Sequence, residues 1–262
     1  MRTYVQPIDF DLLHIQLRMD LSYAAEVEVG EWQAIRGDIP QATTIELEDV
    51  SIETILPENV EDWQEKVKPN LPWAEDHLQE RVSGIPYNPP PSSEYWPFAQ
   101  KNNDGFKTNT KFSHTYPERM WPIYAGGADR PHEGIRYVYG DLQDVVNLLH
   151  DRPGTRQAYL PIWFPEDTGS VENQRVPCTL GYHFMIRHGQ LKVVYYIRSC
   201  DFLRHFRDDV YMAGRLAQWI VKELQTKGDN LTTDRLVMHI SSLHVFSVER
   251  EILRNPMNQL TS

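Results

Sequence analysis

A chain of 262 residues with 40% apolar side chains can bury a full core, and its length fits one folded unit spanning 1–262 better than two small ones. The formal charge of −11 repels polyanions over most of the surface. That argues against a general nucleic-acid or acidic-membrane binder and leaves any anionic ligand to find a local basic pocket.

Two cysteines, Cys178 and Cys200, cannot build a disulfide framework, and no four-ligand Cys/His spacing for zinc occurs, so no metal is expected. No basic-then-apolar leader opens the sequence, and no apolar run nears the roughly 20 residues that span a bilayer. The expectation is a soluble cytoplasmic protein, in the host cytoplasm if the source is a virus.

In chain order, 42–56 alternates apolar and polar side chains and predicts one or two half-buried strands. Helical character follows at 61–66 and 73–82. The Pro, Ser and Asn cluster between 83 and 97 predicts irregular backbone flanked by aromatic residues. A helix is predicted over 142–149, stopped by Asp151-Arg152-Pro153-Gly154.

Strands are predicted at 158–164, 178–186, 191–198 and 236–248. The second and third form a hairpin across His188-Gly189-Gln190. Between them and the last strand lies the strongest helix, 209–224, whose Val210, Ala213, Leu216, Ala217, Ile220, Val221 and Leu224 recur at three and four. The pattern is α+β.

The chemistry-bearing blocks are Val176-Pro177-Cys178-Thr179, Ile197-Arg198-Ser199-Cys200-Asp201, Phe206-Arg207-Asp208-Asp209 and Ser242-Leu243-His244-Val245-Phe246. In this order they resemble the thymidylate synthase family, with its Pro-Cys nucleophile, Arg-Ser-x-Asp loop, helix opening Phe-Asn and x-x-His-x-Tyr. The Cys178 to Arg198 and Arg198 to Asp209 intervals match without a gap. An upstream segment from Asp151 through Arg156 to Trp163 resembles the family's Pro-x-Ser-Arg-Arg stretch. The resemblance covers 145–248 well and the first 140 residues loosely. It implies a mixed β-sheet packed with helices, one sheet face being used to form a homodimer.

The physical reading agrees. Carbon C6 of a pyrimidine must first accept a thiolate before C5 becomes nucleophilic, and Cys178 would supply it. A cation such as Arg198 favours the thiolate and forks onto a phosphate, with Ser199 as a further donor. By resemblance, Arg156 reaches the phosphate of a partner subunit, although Gln157 replaces a neighbouring arginine. His244 binds the sugar, with Phe246 standing where the family has a tyrosine.

Asp209 replaces the asparagine of uracil-specific members, and the same substitution marks the deoxycytidylate hydroxymethylase branch. A carboxyl can accept from the cytosine N4 amine and, when protonated, donate to N3, whereas it faces O4 of uracil with a lone pair. The resemblance further implies a proton-handling carboxylate on an early helix. Glu75 is the candidate and Glu80 the second choice, so Cys178, Glu75 and Asp201 form the catalytic set. Tyr116 lines the substrate pocket and Trp96 stacks on the folate ring. His183 replaces a glutamine and has no assigned role.

The expected activity is C5-hydroxymethylation of dCMP or CMP with 5,10-methylenetetrahydrofolate. Reductive methylation of dCMP or dUMP and a catalytically silent nucleotide-binding protein stand as alternatives. The tail 255–262 lacks the apolar end that closes over folate in thymidylate synthases, which favours water access.

Overall fold

The computed structural model describes residues 2–6, 10–29, 43–97, 107–122, 141–165, 167 and 176–254. Strand β1 (Arg2–Gln6) leads to helix α1 (Phe10–Ser22), the short strand β2 (Glu26–Glu28) and the long strand β3 (Thr43–Ile55). Helices α2 (Val60–Val67) and α3 (Trp73–Val82) follow. Then come a small ribbon, β4 (Lys107–Thr108) with β5 (Lys111–Phe112), and helices α4 (Tyr116–Met120) and α5 (Leu142–Asp151). Strands β6 (Tyr159–Pro161), β7 (Thr179–Arg187) and β8 (Gln190–Asp201), helix α6 (Phe206–Thr226), strand β9 (Thr232–Phe246) and helix α7 (Arg250–Arg254) complete the order.

Seven strands form one mixed sheet in the order β1-β3-β9-β8-β7-β6, with β2 also paired to β3. The β7–β8 hairpin turns through His188 and Gly189 at φ 54° and 74°. Two successive positive φ values suit the right-handed twist of the flanking strands, so the connection needs only two residues. Strand β8 then pairs β9 in parallel, with α6 as the crossover.

Helix α6 lies against β8 and β9 and meets α2, α3 and α5. Its buried Val210, Ala213, Leu216, Ala217, Ile220 and Leu224 form the predicted stripe, and each large side chain so buried contributes about 1.5–3 kcal/mol. Gly214 admits the indole of Trp63, since a Cβ there would lie 2.5 Å from that ring.

The boundaries differ from expectation where tertiary contacts decide them. The alternation of 42–56 is one strand, β3, broken in phase at Asp49 with φ 52°. The predicted strand 158–164 shrinks to Tyr159–Pro161, and the last strand begins at Thr232. Helix α6 starts three residues before Asp209, at Phe206. The irregular stretch holds a single turn of 3₁₀ helix at Pro91–Glu94. Helix α1, which the sequence reading passed over, buries Phe10, Leu13, Leu17 and Leu21. The tail 255–262 lies outside the described residues.

Candidate active site

Cys178 is half-buried one residue before β7, at a bulge in the β7–β8 ladder between Thr179 and Gly181. Bulges re-aim side chains, and this one follows directly on Cys178. The Cys178 carbonyl accepts from the Arg198 backbone N–H at 2.9 Å. Arg198 Nε donates to the Pro177 carbonyl at 2.9 Å and Nη2 to that of Val176 at 3.2 Å. Its guanidinium carbon lies 6.0 Å from the centre of the Trp163 ring, and Trp163 Nε1 also donates to Pro177 at 2.7 Å. Arg198 is thus clamped beside the Cys178 turn, with Nη1 bonded to none of the described residues.

The parallel register sets Ser199 beside Ser242 and Asp201 beside His244. His244 is buried, with Nδ1 at 3.5 Å from Ser242 Oγ and its ring edge-on to Phe246. Asp201 is engaged by its own turn. One oxygen accepts from the N–H groups of Leu203 and Arg204 at 3.0 and 3.1 Å, and the other from Arg204 Nη1 at 3.0 Å. Its carboxylate shapes the turn that opens α6.

Asp209 lies in the first turn of α6, where Cys200 Sγ donates to Oδ2 at 3.5 Å. Burial raises its carboxyl to about 7; Arg81 opposes the rise and Asp208 reinforces it. Tyr116 completes the contact with the Cys178 turn, its hydroxyl accepting from Thr179 Oγ1 at 3.2 Å and Thr179 N at 3.5 Å. Thr179 Oγ1 is also 2.8 Å from the Tyr195 hydroxyl. Burial, then the neighbouring Cys178, push the Tyr116 phenol well above its usual range. It is therefore a neutral donor.

Trp96, half-buried, stacks on His205 at 5.2 Å and lies 6.2 Å from Trp73, whose ring stacks on His77 at 5.1 Å. This aromatic ladder joins α3 to the start of α6.

Two predicted residues lie away from this group. Glu75 faces α6, accepting from Arg215 Nε at 3.0 Å and Nη2 at 2.8 Å, and from the Tyr211 hydroxyl at 2.6 Å. Burial raises its carboxyl, but the bonds from Arg215, Tyr211 and Gln79 hold it below the usual range. The second choice, Glu80, is on the inner side, bonded to His77 and Ser92. Arg156 is exposed beside a surface depression it shares with Arg187 and His188, while its carbonyl meets His183 Nε2 at 3.0 Å.

Residues 92–261 match the family model described as thymidylate synthase. The chain belongs to the thymidylate synthase family. A thymidylate synthase from Rhizorhabdus wittichii is 25% identical over 141 residues, which cover 52% of this chain and 44% of that protein. A bifunctional dihydrofolate reductase-thymidylate synthase from Paramecium tetraurelia is 24% identical over 157 residues, covering 56% and 32%. The chain therefore spans less than half the length of these two curated relatives. The solved thermostable thymidylate synthase A from Bacillus subtilis superposes with a TM-score of 0.65 at 17% identity, covering 94% of this chain and 83% of that one. The thymidylate synthase fold is thereby shown, including its mixed sheet with helices, and the family's one-carbon donor is methylenetetrahydrofolate.

In this thymidylate synthase family member, the sequence reading missed Arg81 and His77. Arg81 is 4% exposed, its guanidinium lies 4.1 Å from the Tyr116 ring centre, and its side chain bonds to none of the described residues, Nε being sealed from solvent. His77 lies four residues earlier on the same buried face of α3. The signal was their spacing from Trp73, at steps of four along the helix. Among the described residues no cluster of metal-ligating side chains occurs, and no helix is long and apolar enough to cross a membrane.

Proposed function

We propose that the chain catalyses folate-dependent C5-hydroxymethylation of a cytosine nucleoside monophosphate, dCMP or CMP, through a covalent adduct between Cys178 and C6. The observation that carries the base assignment is Asp209, a half-buried residue at the head of α6 whose carboxyl accepts from the Cys200 thiol and is raised to about 7 by desolvation. Near neutral pH such a group is protonated in about half of the molecules. In that form it donates to N3 of cytosine and accepts from the N4 amine, satisfying both demands at once. Each buried polar atom left unpaired by uracil would cost about 1–3 kcal/mol.

Cys178 attacks C6, and the electron pair released toward C5 makes that carbon the nucleophile. Arg198 holds the nucleotide phosphate through Nη1 while its other nitrogens fix the Val176 and Pro177 carbonyls. Ser199 adds a hydroxyl, and His244 meets the sugar. Tyr116, as a neutral phenol, borders the reacting edge of the base. Methylenetetrahydrofolate supplies the one-carbon unit at the formaldehyde level. The half-buried Trp96 fits a flat heteroaromatic ring laid along the α3–α6 border. In a homodimer the exposed Arg156 would reach the phosphate of a second copy.

The test is to incubate the full chain and methylenetetrahydrofolate with C5-tritiated dCMP, CMP or dUMP and follow both tritium release and product mass. Faster release from either cytosine nucleotide with a hydroxymethyl product supports the reading; faster release from dUMP overturns the base assignment. The names of the matched relatives favour reductive methylation as the second reading. It predicts dihydrofolate absorbance and a methyl product instead.

A further inference from the structure

Water addition to the one-carbon unit requires a base, and α3 carries a buried histidine that the steps above leave unused. His77 is 8% exposed, stacked on Trp73 and edge-on to Tyr116 with ring centres 6.4 Å apart. Its Nδ1 lies 3.1 Å from Glu80 Oε2 and 2.9 Å from Ser92 Oγ. Ser92 has one hydroxyl proton, which it donates to Glu80 Oε2 at 2.5 Å, while its backbone N–H donates to Oε1 at 2.6 Å. Both neighbours therefore present lone pairs to Nδ1. That assigns the ring proton to Nδ1 and leaves Nε2 as the lone-pair nitrogen. Nε2 bonds to none of the described residues.

Charge agrees with geometry. Burial and then Arg81 push His77 below its usual range, against the pull of Glu80. Burial raises Glu80, but its bonds from His77 and Ser92 bring it below its usual value. A neutral imidazole has a lone pair ready for a proton, and the adjacent carboxylate offsets part of the basicity that burial and Arg81 remove, as in hydrolytic His-carboxylate pairs.

We propose that His77 is the catalytic base for the water step, with Glu80 and Ser92 as positioning residues. The inference rests on the hydroxymethylation reading. After folate departs, the base carries an exocyclic methylene at C5 and Cys178 at C6. Water forms a C–O bond to the methylene and gives its proton to Nε2. The π pair of the methylene moves onto C5 and then reforms the C5–C6 double bond as the Cys178 thiolate leaves. His77 releases the proton to solvent. The protons lost from C5 and from water match the two taken up by the folate nitrogens.

The experiment uses the full chain with methylenetetrahydrofolate and whichever cytosine nucleotide releases C5 tritium faster. In His77→Gln, hydroxymethyl product should fall by about 10²–10⁴-fold, whereas C5 tritium release should fall far less and an added thiol should trap the methylene as a thioether. Glu80→Gln should show the same split in milder form. Equal losses of tritium release and product, or unchanged product, in a folded variant would overturn the role of His77. Should neither variant fold, ¹⁵N NMR of the histidine-labelled parent decides: a neutral Nδ1–H tautomer at His77 is expected, and an Nε2–H tautomer overturns the proposal. A parent enzyme making no hydroxymethyl product would instead overturn the underlying reading.

Discussion

Cys200 donates its thiol to Asp209 across 3.5 Å, at the junction of β8 with α6. A thiol is a weak donor, so the bond leaves most of the carboxyl's burial cost in place. Burial and the adjacent Asp209 in turn push the Cys200 thiol well above its usual range, so it stays protonated. The pair keeps a carboxyl poised between two protonation states.

Replacing that carboxyl gives a prediction with a defined sign. Asp209 titrates at about 7 in the fold, against about 3.9 for an exposed aspartate. Between these values the folded chain retains a proton that the unfolded chain has lost, so stability falls as pH rises. Asp209→Asn should therefore stabilise the protein by an amount that grows by roughly 1.4 kcal/mol per pH unit up to about pH 7 and then levels off. Thermal melts at about pH 5 and pH 8 check this; an equal gain at both would remove the buried-carboxyl account.

The same titration governs the base. In the parent, affinity for a cytosine nucleotide should fall toward tenfold per unit above about pH 7, as the donor to N3 is lost. Asp209→Asn should flatten that dependence and favour uracil by about 10-fold or more. Calorimetric titration with dCMP and dUMP across the range measures both.

Arg81→Met tests the bare guanidinium on α3. Removing a buried charge that has no side-chain hydrogen bond to any of the described residues should leave the ligand-free protein unchanged or more stable by about 1–4 kcal/mol. The Asp209 carboxyl, which Arg81 holds down, should titrate higher. Denaturant unfolding and carboxyl NMR are the measurements.

Cys178→Ser should lower turnover by about 10³-fold or more while nucleotide binding stays measurable. Mass spectrometry should detect a covalent nucleotide adduct in the parent alone. Retained turnover would remove the thiolate mechanism.

Arg198→Lys should weaken a nucleoside monophosphate by about 10-fold while barely altering the corresponding nucleoside. An ammonium cannot fork onto phosphate while also holding the Val176 and Pro177 carbonyls. Competition binding with the two ligands distinguishes loss of the phosphate contact from collapse of the Cys178 turn.

The elements legible in the sequence were those whose signal is local. The β7–β8 turn and the stripe of α6 depend on residues next to or one helical turn from each other. The intervals from Cys178 to Arg198 to Asp209 survive because a hairpin and a tight turn fix them. Glu75 was misplaced relative to the site because which side of α3 faces α6 is a tertiary fact: Arg215 and Tyr211, far along the chain, hold it. Arg81 and His77 went unread for the same reason. Only packing by Trp73, Tyr116 and Trp121, whose Nε1 donates to the Arg81 carbonyl at 2.7 Å, places them inside.

The bond from the Arg198 N–H to the Cys178 carbonyl has an architectural consequence. It fastens Cys178, the proposed attacking group, and Arg198, the proposed phosphate anchor, to one two-stranded plate, whose pairing phase a single inserted residue at His188-Gly189 would invert. The residues proposed to discriminate the base and to handle water, Asp209 and His77, stand instead on α6, which lies against β8 and β9, and on α3, which packs on α6. Redesigning selectivity is thus a problem of exchanging helix faces while the plate is left untouched.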